Sequence, residues 1–244
     1  MTQHTALLIQ IRHRSDPSAA HEAECLRRRL ADLNVRWVVR NGLEDKPSRD
    51  WLDGVDLVFI GGSGYHSMVR HRDAAWVGPL RHVLDEILHR QLPGMGLCFG
   101  HQLTGHHLGA RVSDASEHAE IGTASFELTP EALADPILAS LKSPFRAQTG
   151  HSDHVVSIPD GVELMASNSA LVTQAFRVKG CPFYTTQFHP ELTGEEAQQR
   201  YQLVQAGLAK SNSEALPEAV TLFKSDQNDT LDLIERLAKH FLEG

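Results

Sequence analysis

Pro93-Gly94-Met95-Gly96-Leu97-Cys98-Phe99-Gly100-His101-Gln102 reads as a strand, a sharp turn and the start of a helix. Met95 to Leu97 is an apolar lead-in, and a helix is expected from Phe99 to Leu108, with Gly109 placed to stop it in the left-handed conformation. Glycines stand two places before and two places after Cys98. That is the layout of a nucleophile elbow, in which one strained residue between strand and helix is pushed into the open at the end of a sheet. The glycines fit because a side chain in so tight a turn would strike neighbouring backbone. The helix start behind the cysteine offers free N–H groups and the positive end of a dipole, which favour thiolate. The bland alternative is a small buried apolar cysteine, and the glycine frame speaks against it.

Outward from the elbow, the preceding chain alternates strands and helices. Strands are expected at Thr5 to Ile11, Val35 to Val39 and Leu57 to Ile60, and helices at His21 to Leu33 and from Gly78-Pro79 to Arg90. Leu80, Val83, Leu84, Ile87 and Leu88 recur at helical spacing on one face of the second helix. The order predicts a parallel sheet covered by helices. After Gly109 come short strand candidates at Ile121 to Leu128, Phe145 to Thr149, Val155 to Ile158, Val162 to Ala166, Leu171 to Val178 and Phe183 to Phe188. Turn residues such as Pro159-Asp160-Gly161 separate them, so this half is expected to be antiparallel or mixed. Three helices are expected beyond Thr193: Glu195 to Ala209, Ala215 to Lys224 and Thr230 to Leu242. Leu231, Ile234, Leu237 and Phe241 make a packing face on the last. We expect one domain over residues 1–244, with a core at about 5–192 and a helical extension at 193–244.

The partner of a nucleophilic cysteine is a base, and Gln187-Phe188-His189-Pro190-Glu191 supplies one after a strand-like run. Pro190 biases His189 to an extended conformation, and extended residues at i and i+2 point the same way. The His189 ring and the Glu191 carboxylate are therefore expected to meet, the acid orienting the base. A lone histidine among the 15 in this chain would mean little. The His-Pro-Glu triplet paired with the elbow means more.

Gly96-Leu97-Cys98-Phe99-Gly100-His101-Gln102 together with His189-Pro190-Glu191 resembles the class I, or triad, glutamine amidotransferases. The runs around the elbow and His151 are similar to the glutaminase domain of GMP synthases. The resemblance extends from about Leu7 to Leu192. It implies a flavodoxin-like α/β fold with a mixed, mostly parallel sheet, and a triad of Cys98, His189 and Glu191. It also implies an oxyanion hole from the N–H groups of Gly62 and Phe99, in the loop Gly61-Gly62-Ser63-Gly64 and just after the nucleophile. No Lys-Ser/Thr follows that glycine loop, so a phosphate-binding P-loop is not expected. The resemblance further assigns Gln102 to the α-amino-acid end of the substrate. Gly64, Ser152 and Asp153 would add contacts, with Ser152 standing where a glycine is commoner in the family.

Composition limits the partners. A net charge of −8 speaks against nucleic acid or an anionic membrane. No run approaches the roughly 18 apolar residues of a membrane span. No secretory signal is visible after Met1, and cysteines at 25, 98 and 181 form neither a disulfide framework nor a metal spacing, so thiols in a reducing cytoplasm are expected. His101, His106 and His107 do not stack on one helix face as metal ligands at i, i+4 do. Arg27-Arg28-Arg29 is expected on a solvated helix face. No metal or cofactor is called for. Three readings stay open: a glutaminase delivering ammonia to a separate synthetase protein, a hydrolase of γ-glutamyl peptides or conjugates, and a non-catalytic regulatory relative.

Overall fold

The fold was analysed in a computed structural model, which describes residues 2–210, 222–224 and 227–243. In chain order its main elements are β1 (His4–Gln10), α1 (Pro17–Arg29), β2 (Val35–Asn41), β3 (Leu57–Ile60), α2 (Met68–His71), α3 (Val77–His89), β4 (Gly94–Leu97) and α4 (Phe99–His107). There follow β5 (Val112–Ser113), β6 (Glu120–Leu128), α5 (Pro130–Leu133), β7 (Phe145–His151), β8 (His154–Val155), β9 (Val162–Ser167), β10 (Ala175–Val178), β11 (Phe183–Thr186), α6 (Gly194–Lys210) and α7 (Leu233–Leu242).

Nine strands make one sheet in the order β2-β1-β3-β4-β11-β10-β9-β6-β7. From β2 to β11 every neighbour is parallel, and from β11 to β7 every neighbour is antiparallel. The change of sense falls at β11, beside the elbow strand β4. Apolar side chains alternate between the two faces of the parallel strands. Ala6, Leu8, Leu57 and Phe59 pack with Leu26 of α1 and with Leu233, Ile234 and Leu237 of α7. Leu7, Ile9, Val58 and Ile60 pack on the other face with Leu80, Val83, Leu84 and Ile87 of α3 and with Phe99 and Leu103 of α4. Burial on both faces explains why these strands read as continuous apolar runs. The face expected on the last helix meets the core through Ile234 and Leu237, with Phe241 packed at its margin.

Several boundaries moved, each for a local reason. Helix α1 begins at Pro17 rather than His21, because Asp16 caps it by accepting from the Ser18 N–H and Pro17 fills the first turn. The strand expected over Val155 to Ile158 shrinks to His154–Val155, paired only with β5. That over Leu171 to Val178 begins at Ala175, the residues before it forming a loop held by Asn168. The arginine run is only partly solvated: the Arg29 side chain is 13 % exposed and pairs with Glu196 of α6. The helix expected over Ala215 to Lys224 lies for the most part outside the described residues. Among the described residues no helix is long and apolar enough to cross a membrane.

Candidate active site

The C-terminal end of β4 lies in the middle of the parallel sheet, between β3 and β11. Cys98 takes φ 50° and ψ −93° between β4 and α4, a conformation that L-residues adopt rarely and that costs on the order of 1–3 kcal/mol. Neighbours hold it there: the Cys98 N–H donates to the Thr186 carbonyl (2.8 Å) and the Gln102 N–H donates to the Cys98 carbonyl (3.1 Å). The flanking glycines are sterically required. A Cβ on Gly96 would come within 2.8 Å of the Gly100 backbone, and one on Gly100 within 2.4 Å of the Ile60 carbonyl oxygen.

Beyond β11 the chain crosses to β7, where the His189 N–H donates to the Gln148 carbonyl (2.8 Å). This brings the imidazole over the elbow, beside Cys98 and Gly62. Its Nδ1 lies 2.9 Å from Glu191 Oε1. Glu191 is fully buried, and the same Oε1 accepts from Arg200 Nη1 of α6 at 2.7 Å. Burial alone would lower the His189 pKa, but the charge and hydrogen bond of Glu191 and the proximity of Cys98 outweigh it, so the ring is held above its ordinary value. Burial would raise the Glu191 pKa, but His189 and Arg200 outweigh that, so the carboxyl stays ionised well below its usual range. Burial pushes Cys25 up to about 12 and Cys181 upward too, which leaves both as inert thiols.

A cavity of about 320 Å³ opens beside the Cys98–His189 pair. Phe99, Gly64, Gln102, Ser152 and Asp153 all line it. Their hydrogen bonds differ from expectation in two places. The Gly62 N–H, expected as an oxyanion donor, donates instead to Glu22 Oε1 at 3.0 Å. The reason is a buried carboxylate behind the loop, which also accepts from Gln10 and Arg12 and needs donors to offset its burial. The second is Gln102, which the resemblance places at the substrate. Its Nε2 donates to the Asp153 carbonyl at 2.8 Å and to Gln187 Oε1 at 3.3 Å, so that nitrogen is spent on the protein. Asp153 in turn accepts from Ser67 Oγ and the Val69 N–H through Oδ2, anchoring the start of α2.

Sequence reasoning missed four contributors. Gln187 points Nε2 at Cys98 Sγ, 3.5 Å away, and Gln102 holds its other end. Its position two residues before His189 on an extended run was the available signal. Arg200, and the cavity wall of Tyr201, Val204 and Phe223, come from the extension after Thr193, where no motif marks them. Arg12 also lines the cavity while its guanidinium binds Glu22, Asp16 and Ser18.

A buried thiol, imidazole and carboxylate in line, at an elbow on a cavity wall, can carry out acyl transfer through a thioester. The profile of the glutamine amidotransferase class-I family matches residues 21–204. The chain belongs to the class I glutamine amidotransferases. One of the subunits of the glutamine-hydrolyzing GMP synthase of Sulfolobus acidocaldarius is 32 % identical over 167 residues, covering 68 % of this chain and 84 % of that one. Its counterpart in Sulfurisphaera tokodaii is 29 % identical over 145 residues, 59 % of this chain and 72 % of its own. A glutamine amidotransferase of Thermotoga maritima superposes with a TM-score of 0.74 over the whole of both chains at 17 % identity, a likeness of fold. The mixed sheet flanked by helices is thus the fold of solved class I amidotransferases.

Proposed function

We propose that this amidotransferase hydrolyses the side-chain amide of glutamine and passes the ammonia to an acceptor on a separate protein. Cys98 attacks the γ-carbonyl carbon. His189 gives its proton to the departing nitrogen and then takes one from the water that releases glutamate from the thioester. Glu191 keeps the imidazole in its working orientation, and Arg200 steadies Glu191. The Phe99 N–H, in the first turn of α4 where no intrahelical acceptor exists, receives the developing oxyanion. Gly62 joins it only after leaving Glu22. Asp153, Ser152 and Gly64 border the bound substrate, and Gln102 acts by fixing Gln187 and the loop at Asp153. The observation that carries this reading is the line from Cys98 through His189 to Glu191, the acid bond being 2.9 Å long. Similarity to the glutamine-hydrolyzing GMP synthases supports a synthetase-type acceptor, and three free thiols suit a reducing cytoplasm.

The test is covalent. Treated with 6-diazo-5-oxo-L-norleucine, the protein should gain one adduct on the peptide bearing Cys98, and Cys98→Ser should release no glutamate from glutamine. Labelling of Cys25 or Cys181 with Cys98 left free would refute the assignment.

A further inference from the structure

The cavity beside Cys98 has two unlike ends. One is polar. Arg70 of α2 reaches its rim with no ion pair among the described residues, beside Asp153, which is 4 % exposed and whose Oδ1 has no hydrogen-bond partner. A cation next to a carboxylate suits the zwitterionic head of an L-γ-glutamyl group. The other end is apolar. Leu192, Tyr201, Val204 and Phe223 line it, with the Tyr201 and Phe223 rings 5.9 Å apart at 52°. The polar groups beside that wall are the Tyr201 hydroxyl, the Tyr65 hydroxyl, which donates to the Val204 carbonyl, Arg12, committed to Glu22, Asp16 and Ser18, and Arg200, bound to Glu191 at 2.7 Å.

The chemistry decides which end takes which part of a substrate. When the thiolate forms its C–S bond to the γ-carbonyl carbon, the C–N bond breaks and the nitrogen takes the His189 proton. The leaving amine therefore sits on the His189 side. The apolar wall begins there, since the Leu192 N–H closes a turn onto the His189 carbonyl and α6 follows directly. Ammonia has almost no apolar surface to bury, so an apolar wall stabilises far better an occupant that brings such surface. The volume of about 320 Å³ also reaches the bottom of the range, roughly 300–1,000 Å³, in which larger small-molecule ligands are held.

We infer that the site also cleaves γ-glutamyl amides whose amine carries a hydrophobic, preferably aromatic, group. Tyr201, Val204 and Phe223 form the leaving-group subsite. The step balances without a co-reactant. The thioester and the free amine form first; water then forms the C–O bond, gives its proton to His189, and the C–S bond breaks to restore the thiolate. The inference rests on the thioester reading above.

The experiment measures glutamate release by the full chain from glutamine, γ-L-glutamyl methylamide and γ-L-glutamyl benzylamide. The benzylamide should exceed the methylamide in kcat/KM by roughly tenfold or more, the discrimination that a few buried apolar carbons supply. Phe223→Ala and, separately, Val204→Asn should each cut the benzylamide-to-methylamide ratio by about tenfold, with folding checked by circular dichroism. No benzylamide turnover, a ratio near one, or a ratio indifferent to both substitutions overturns the inference. If glutamine is hydrolysed in that case, the glutaminase reading stands alone. If no substrate is turned over and Cys98 also resists the diazo analogue, the thioester reading falls as well.

Discussion

Glu191 Oε1 serves two cations at once, His189 at 2.9 Å and Arg200 at 2.7 Å. The carboxylate raises the proton affinity of the imidazole, and a guanidinium on the same oxygen, a like charge to the imidazolium, should temper that rise. The two neighbours should therefore move the pH profile in opposite directions. As pH rises through the raised His189 value, the ring loses the proton that the leaving amine needs, so kcat/KM falls on the alkaline side. Glu191→Gln removes the attraction and should move that limb to lower pH. Arg200→Met removes the opposing charge and should move it to higher pH, while Arg200→Lys should lie near the parent. A merely structural Arg200 would lower activity without shifting the limb. His189→Ala should cost about 10²–10⁴-fold, far more than Glu191→Gln, because an amide can still orient the ring. The profile is read from glutamate release across pH 6 to about 10.

The elements meet where α6 leans on the oxyanion loop. Tyr65, just after that loop, donates its hydroxyl to the Val204 carbonyl at 3.3 Å. A Cβ on Gly64 would lie 2.9 Å from the Val204 side chain. One helix thus contacts both the triad acid, through Arg200, and the loop that carries Gly62. With the Gly62 N–H bonded to Glu22, one of the two expected oxyanion donors is out of use, a loss worth roughly 10²–10³ in rate. The acyl-enzyme should differ. In a crystal structure of the protein trapped with the diazo analogue, the Gly62 nitrogen should have left Glu22 and lie about 2.7–3.1 Å from the adduct oxygen. Retention of the Glu22 bond in that adduct would remove Gly62 from the oxyanion hole.

Across the described residues, burial lowers the pKa of five histidines, His107, His154 and, furthest, three others. Burial is the main cause in each: His101 falls to about 3, and His21 and His66 to about 4. Their folded values lie below the unfolded value of about 6.5, so the unfolded chain takes up more protons once pH drops under that value. Stability present above it is lost as pH falls toward the folded values. Fully buried His101 should contribute a slope on the order of 1 kcal/mol per pH unit. His21 and His66 act in the same sense, weakened by solvent screening. Thermal unfolding followed by circular dichroism should give a Tm that declines from pH 7 to about 4.5, with a shallower decline in His101→Gln. A level Tm over that range would contradict the account.

Local signals in the chain determined the elbow and the placing of His189 beside Glu191. Gly96 is required against the Gly100 backbone four residues on, and Gly100 against the Ile60 carbonyl of the neighbouring strand, so the glycine pattern in the sequence records a steric fit that the fold imposes. His189 and Glu191 lie on either side of Pro190, and a turn closed by the Leu192 N–H onto the His189 carbonyl, rather than the extended run expected, brings them together, so their meeting is still a local matter. The parallel half of the sheet was legible too, since strands buried on both faces are continuously apolar. Other features depended on residues far apart in the chain. The Glu22–Gly62 bond joins positions 40 residues apart, and Gln102 meets Asp153 across 51; these two contacts occupy groups that the family resemblance assigned to the oxyanion and to the substrate. Arg200 lies only nine residues from Glu191, yet the turn of chain between β11 and α6 decides that it folds back, and no periodicity encodes that turn. The apolar wall joins α6 to Phe223. Its side chains read as ordinary packing residues until the tertiary structure sets them around the space beside His189.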